Sequence, residues 1–234
     1  MNTRRMIALL CAILMLLTLT ACSGESDNSA KENSEPPVSE DAKGYQALIS
    51  AIEAVYNDAD ATSGDMMTAS YGEKISNVMM AFFDSMQEVD AEGQQDLSDI
   101  NLLLLGSPYQ KGSKVKLTIS GETQLTQEAL EECQAKAKSV GDKMAMLSDY
   151  SQLYDAMTDE ELAEAEMTRD DVSKIQNYIS KLEELGAIYS NSEITDGYNL
   201  NITADVDGET QDIEVLVLCV DGSWILGDYA DIIV

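Results

Sequence analysis

The chain has no histidine. That absence removes Ser-His-Asp and Cys-His nucleophile pairs, imidazole acid–base catalysis and histidine-containing zinc sites. Basic residues are scarce, 14 Lys and Arg against 43 Asp and Glu in 234 residues. A nucleic-acid-binding surface needs a basic patch, so that function class is excluded. Adsorption to an anionic membrane surface by charge is disfavoured for the same reason. Cationic partners or dissolved cations are the electrostatically favoured ones, although solubility and resistance to self-association account for most of such a charge. The sequence also lacks a P-loop, a dinucleotide fingerprint, a nucleophile elbow and a Cys-x-x-Cys pair. Its longest apolar run, Met6 to Thr20, is 15 residues, short of the roughly 20 that a spanning helix needs.

What is present begins with that run. Arg4 and Arg5 precede it, and Thr20 and Ala21 lead into Cys22 where it stops. This is the layout of an export signal, expected to be removed. Leu19-Thr20-Ala21-Cys22 resembles a bacterial lipobox, in which the cysteine is lipidated and becomes the first residue of the mature protein. An ordinary export signal with nearby cleavage would leave Cys22 unmodified; the coincidence of small residue and cysteine at the end of the run favours lipid. Bacterial lipoproteins carry two or three chains, palmitate among them. One chain binds only marginally, at about 0.8 kcal/mol per buried methylene, so several make a lasting anchor.

Residues 22–43 read as the lipidated cysteine and an acidic tether. Ser23 to Lys43 is rich in Ser, Glu, Asp, Asn and Pro, with Val38 its only large apolar residue. Such a segment buries too little to offset ordering entropy. As a flexible chain it spans roughly 25 Å. Residues 1–21 hold Arg4 and Arg5 and no acid, so the remainder carries 12 basic and 43 acidic residues, a net charge of −31.

Residues 44–234 are enough for a single α+β domain with a full core. Leu48, Ile52, Val55 and Tyr56 recur at helical spacing. A polar loop from Asn57 to Ser70 is expected next, then a helix carrying Ile75, Val78, Met79, Phe82, Phe83 and Met86 on one face. Ile100 to Leu105 is a short apolar run of undecided type. Lys114 to Ser120 alternates as a strand, which Gly121 is expected to break. Thr126 can cap a helix to about Lys138 with Leu130, Cys133 and Ala137 inward. Leu147, Tyr150, Leu153, Tyr154 and Met157 suggest a further helical stretch, and Thr158 to Glu161 has capping-box spacing. From Thr168 a helix is predicted to Leu185, with Gly186 just past its end and a stripe of Val172, Ile175, Ile179, Leu182 and Leu185. That stripe reads as packing against the domain's own sheet rather than as a partner surface.

The C-terminus reads as an antiparallel meander of three strands. Tyr198, Leu200, Ile202, Ala204 and Val206 alternate, and Asp207-Gly208 and Asp221-Gly222 separate them from Ile213–Val220 and Trp224–Gly227. Val215 to Val220 is apolar at every position, so the middle strand is expected to be buried on both faces.

Val217 to Leu226, an apolar strand, an Asp-Gly turn and a Trp opening the last strand, resembles the final hairpin of small exported lipoproteins with the NTF2-like (cystatin-like) fold, often from Gram-positive bacteria. Lys114 to Ala137 is similar to their middle section. The resemblance implies a cone-shaped α+β fold with helices inserted between about Ser148 and Leu185. It carries over no functional residue.

Candidate chemistry is sparse. Thr203, Asp205, Asp207, Gly208, Glu209, Gln211 and Glu214 occupy an EF-hand-like frame, but Thr stands at position 1 where a carboxylate is expected, and the same residues alternate as strand, turn and strand. Asp58, Asp60 and Asp65 form a second acidic cluster without the central Gly and terminal Glu, better read as a loop. No catalytic residue, cofactor or metal ligand is assigned. Nine methionines beyond the apolar run, at positions 66, 67, 79, 80, 86, 144, 146, 157 and 167, read as soft core filler rather than a binding groove or a copper(I) site. Ten tyrosines against two Phe and one Trp suit a wet boundary, either an open pocket or half-buried helices. Cys133 and Cys219 could form one disulfide or remain two buried thiols.

The expectation is thus a lipid-anchored protein on the extracytoplasmic face of a cell membrane, held by Cys22. Its domain would bind an unknown protein or small-molecule ligand and no nucleic acid, without catalysis. The alternative is a small enzyme with an Asp/Glu/Tyr acid–base pair in an NTF2-like pocket.

Overall fold

The computed structural model describes residues 43–89, 114–146, 151, 153–154 and 156–227. The apolar run, Cys22, the tether up to residue 42 and the run Ile100 to Leu105 lie outside the described residues. Among the described residues the helices and strands run in the order α1 (Lys43–Asn57), α2 (Ser63–Val89), β1 (Val115–Gln124), α3 (Gln127–Ala145), α4 (Asp159–Glu164), α5 (Arg169–Asn191), β2 (Ile194–Val206), β3 (Glu209–Val220) and β4 (Ser223–Leu226). The strands make one antiparallel sheet in the order β1-β2-β3-β4. The class is therefore mixed α and β, with the C-terminal meander as expected and β1 joined to it across α3, α4 and α5.

The loop expected from Asn57 to Ser70 is much shorter. Helix α2 starts at Ser63, and Met66, Met67 and Ser70 are already buried. The Thr62 hydroxyl accepts the Asp65 N–H (3.3 Å), and the Asp65 carboxylate accepts the Thr62 N–H (2.8 Å). This reciprocal pair is a capping box built with Asp, and it places the start eight residues earlier than the apolar spacing suggests. Within α2 the chain breaks at Gly72 (φ 73°, ψ 160°), a conformation open mainly to glycine.

Three further boundaries differ from expectation. Strand β1 does not stop at Gly121. Its pairing with β2 shifts between Ile119 and Gly121 and then continues to Gln124. This is a β-bulge, which bends a strand without ending it. Helix α3 runs to Ala145, beyond Lys138, keeping Val140 and Met144 buried. Helix α5 runs to Asn191, so Gly186 lies inside it rather than past its end.

Gly186 serves a close crossing instead. A methyl group there would meet Met144 Cβ at 2.8 Å and the Gly141 carbonyl oxygen at 3.0 Å. One on Gly141 would run into the Ser190 hydroxyl and the Gly186 carbonyl, and would sit 2.8 Å from the Ser190 nitrogen. The two glycines let α3 and α5 pack backbone to backbone, the most extensive helix–helix contact among the described residues. The stripe of α5 is buried, with Leu182 and Leu185 fully enclosed, but the backbones nearest to it are α3 and α2 rather than the sheet expected to cover it. Phe82 of α2 stacks on Tyr178 of α5, ring centroids 5.3 Å apart.

The sheet register sorts residues by face. Tyr198, Leu200, Ile202 and Ala204 share one face with Val217, Leu117 and Leu226. Gly197, Leu218, Val220 and Ile225 share the other. Helix α1 crosses the first face. Gly44 abuts the Trp224 indole of β4, while Asn57 and Glu53 reach β1. There the Glu53 carboxylate accepts the Leu117 N–H (2.6 Å), and the Asn57 side chain exchanges two hydrogen bonds with Val115. Those bonds satisfy backbone groups on the outer edge of β1 that the sheet leaves unpaired. On the second face, Leu125 and Leu130 from the start of α3 close over Gly197 beside Leu218.

Strand β3 is not enclosed along its length on both faces. Val217, Leu218 and Val220 are buried, Val215, Leu216 and Cys219 are half-buried, and Glu209 to Asp212 are exposed. Strand β4 pairs with Val217–Val220, and among the described residues no strand lies beside Glu209–Leu216 on that side of β3.

Both Asp-Gly turns form as expected, with Asp207 (φ 54°) and Asp221 (φ 50°) in the left-handed region. Asp221 also ties three elements together. Its carboxylate accepts the Glu193 N–H (2.9 Å), the Ser192 hydroxyl (3.3 Å) and the Lys74 ammonium (3.2 Å). The Glu193 bond above all, then Lys74 and Ser192, holds that carboxyl below its ordinary value despite some desolvation.

Candidate functional site

The bulge in β1 has a consequence for one side chain. Side chains alternate between faces along a strand, so one inserted residue flips everything after it. Beyond the bulge Glu122 pairs with Leu200 and Gln124 with Tyr198. Both therefore join the face that α1 covers. The Tyr45 hydroxyl of α1 donates to Glu122 Oε2 at 2.5 Å, a short charge-assisted bond.

The Tyr45 ring is buried, 1% exposed, between two other aromatics. It lies 5.0 Å from Tyr198 in a tilted pair and 5.5 Å from Trp224 edge-on; Tyr198 and Trp224 are 5.8 Å apart. These are the distances aromatic quadrupoles prefer. Trp224 is half-buried and Glu122 is exposed, so the cluster runs from the core to solvent. Asp196 stands in the same face, opposite Cys219, and accepts a hydrogen bond from the Gln124 amide (3.1 Å).

The electrostatics fix the Tyr45 proton. Burial pushes the phenol well above the ordinary tyrosine value, and the hydrogen bond to Glu122, the Glu122 charge, Tyr198 and Asp196 push the same way. Tyr45 is consequently a donor at neutral pH and a poor base. Tyr154, buried in the core, is also raised by burial.

The other sequence candidates fall elsewhere. Thr203 to Glu214 is the β2–β3 hairpin, with Thr203 opposite Asp212 and Asp205 opposite Thr210. Asp205 accepts the Gly208 N–H (2.8 Å), Asp207 accepts the Lys114 N–H (2.9 Å), and Asp212 accepts the Thr203 hydroxyl (2.7 Å). Those carboxylates point into separate hydrogen bonds rather than toward one centre. Asp58 and Asp60 lie in the α1–α2 connection, where Asp58 accepts the Asp60 N–H, and Asp65 belongs to the cap of α2. Among the described residues no group of three or more Cys, Asp or Glu is placed to hold a metal ion. Cys133 and Cys219 are separate, half-buried thiols.

The methionines divide. Met66, Met67, Met79, Met144 and Met167 are in the core, Met80 and Met157 are half-buried, and Met86 and Met146 reach solvent. Among the described residues, Ser70 Oγ is the one buried side-chain oxygen without a hydrogen-bond partner. No helix among them is long and apolar enough to cross a membrane.

Sequence reading did not reach Tyr45, Glu122, Gln124 or Asp196. Tyr45 precedes Ile49 and Ile52 at helical spacing, a signal that extends the α1 stripe by one turn. Glu122 had no local signal, because a plain alternation through Gly121 puts it on the opposite face.

No protein-family model matches the chain, and neither a curated protein nor a solved structure is similar to it.

Proposed function

We propose that this is a membrane-anchored cell-surface lipoprotein whose α+β domain binds a protein or small-molecule ligand without transforming it. The observation that carries the reading is the run Met6–Thr20 ending in Leu19-Thr20-Ala21-Cys22. In this reading lipid on Cys22 fixes the chain at the extracytoplasmic face of the membrane, and the acidic segment to residue 42 gives the domain reach. An NTF2-like cone is the finer fold assignment that goes with it. Support comes from the order of elements, with a helix laid across one face of an antiparallel sheet and a C-terminal hairpin carrying Trp224. The binding role draws on the rim of Glu122, Gln124 and Asp196 beside half-exposed Trp224, which offers carboxylates and a ring face to solvent.

The test is fractionation of cells expressing the full chain and Cys22→Ala. The expected outcome is membrane association and incorporation of labelled palmitate for the parent, and release with no label for the variant. Membrane association of Cys22→Ala equal to the parent would overturn the anchor.

One observation favours a second reading, an enzyme with a tyrosine–carboxylate pair: the 2.5 Å bond between Tyr45 and Glu122. Two facts weigh against it. The phenol is pushed toward holding its proton, and the carboxylate sits in solvent rather than in a low-dielectric pocket where acid–base groups are tuned.

A further inference from the structure

We draw no further inference here: the strongest candidate, the Tyr45, Tyr198 and Trp224 ring cluster with its Glu122, Gln124 and Asp196 rim at the α1 end of the sheet, belongs to the site already described, and nothing in the structure shows what covers its exposed side.

Discussion

Replacing Gly141 by alanine sets two physical effects of opposite sign against each other. In a helix interior, alanine is favoured over glycine by about 1 kcal/mol. Gly141 lies inside α3, and on propensity alone the substitution should stabilise. The crossing with α5 says otherwise. The new methyl would run into the Gly186 carbonyl and sit 2.8 Å from the Ser190 nitrogen, and both are backbone atoms of helix α5. Neither can rotate away, so α3 and α5 must separate. Overpacking of this kind costs typically 1–3 kcal/mol, occasionally more. Adding the propensity gain leaves a net loss of about 0–2 kcal/mol, or up to roughly 8 °C in melting temperature for a domain of this size. Gly64, early in α2, is the control. A methyl there meets only the Thr62 hydroxyl, at 3.6 Å. Gly64→Ala should therefore stabilise by about 0.4–1 kcal/mol. Urea unfolding of residues 43–234, followed by circular dichroism, reads both. A Gly141→Ala protein as stable as Gly64→Ala would refute the close crossing.

Alkaline unfolding should report Tyr45. Its folded-state pKa is raised, so its contribution is complete below the unfolded value near 10 and is lost as pH rises above it. Stability should fall above about pH 10, and Tyr45→Phe should flatten that fall; an unchanged slope would refute the buried, proton-holding phenol. At the acid end Glu161 and Asp171 are held low by their bonds to Thr158 and Thr168. Their contribution is present above the unfolded carboxylate range and lost as pH drops through the lowered values, so urea midpoints should decline below about pH 5. Thr168→Ala, which removes the α5 cap, should cost about 1 kcal/mol at neutral pH, and no loss by chemical denaturation would count against the cap. Calcium titration should leave the melting temperature unchanged, since the Thr203–Glu214 carboxylates are spread along a hairpin; a rise of several degrees would contradict that geometry.

Much of this architecture could be read locally. The stripes of α2 and α5, the caps at Thr126, Thr158 and Thr168, and the two Asp-Gly turns are each specified within one or two turns of chain, and all formed. What escaped depended on a distant partner. A glycine after Leu185 looks like a helix end, and only the approach of α3 makes it an interior crossing point. Gly121 looks like a strand break, and only continued pairing with β2 carries β1 past it. The half-exposure of β3 depends on how far β4 extends, which no run of apolar residues encodes. The Tyr45–Glu122 contact needs all of these at once: the bulge, the register and the placement of α1. The Thr62–Asp65 cap is locally visible, as is the helical spacing of Tyr45 ahead of Ile49 and Ile52, but around Thr62 the polar composition outweighs the apolar spacing.

The α3–α5 crossing also bears on how the sheet can assemble. Strands β2, β3 and β4 are joined by two-residue turns and can zip in sequence. Strand β1 must find β2 across the whole stretch from Leu125 to Glu193. Closing so long a loop is entropically costly and comes before any reward from pairing. Once α3 and α5 lie against each other at Gly141 and Gly186, that stretch folds back on itself and its ends are brought near. The Leu125 N–H then bonds the Gly197 carbonyl (2.8 Å), and the Gln134 side chain bonds Ser192 and Ile194. The packed α3–α5 pair can thus act as a splint: by shortening the effective search of β1 for its neighbour, it makes a defect at the crossing expected to slow folding as well as weaken the folded state.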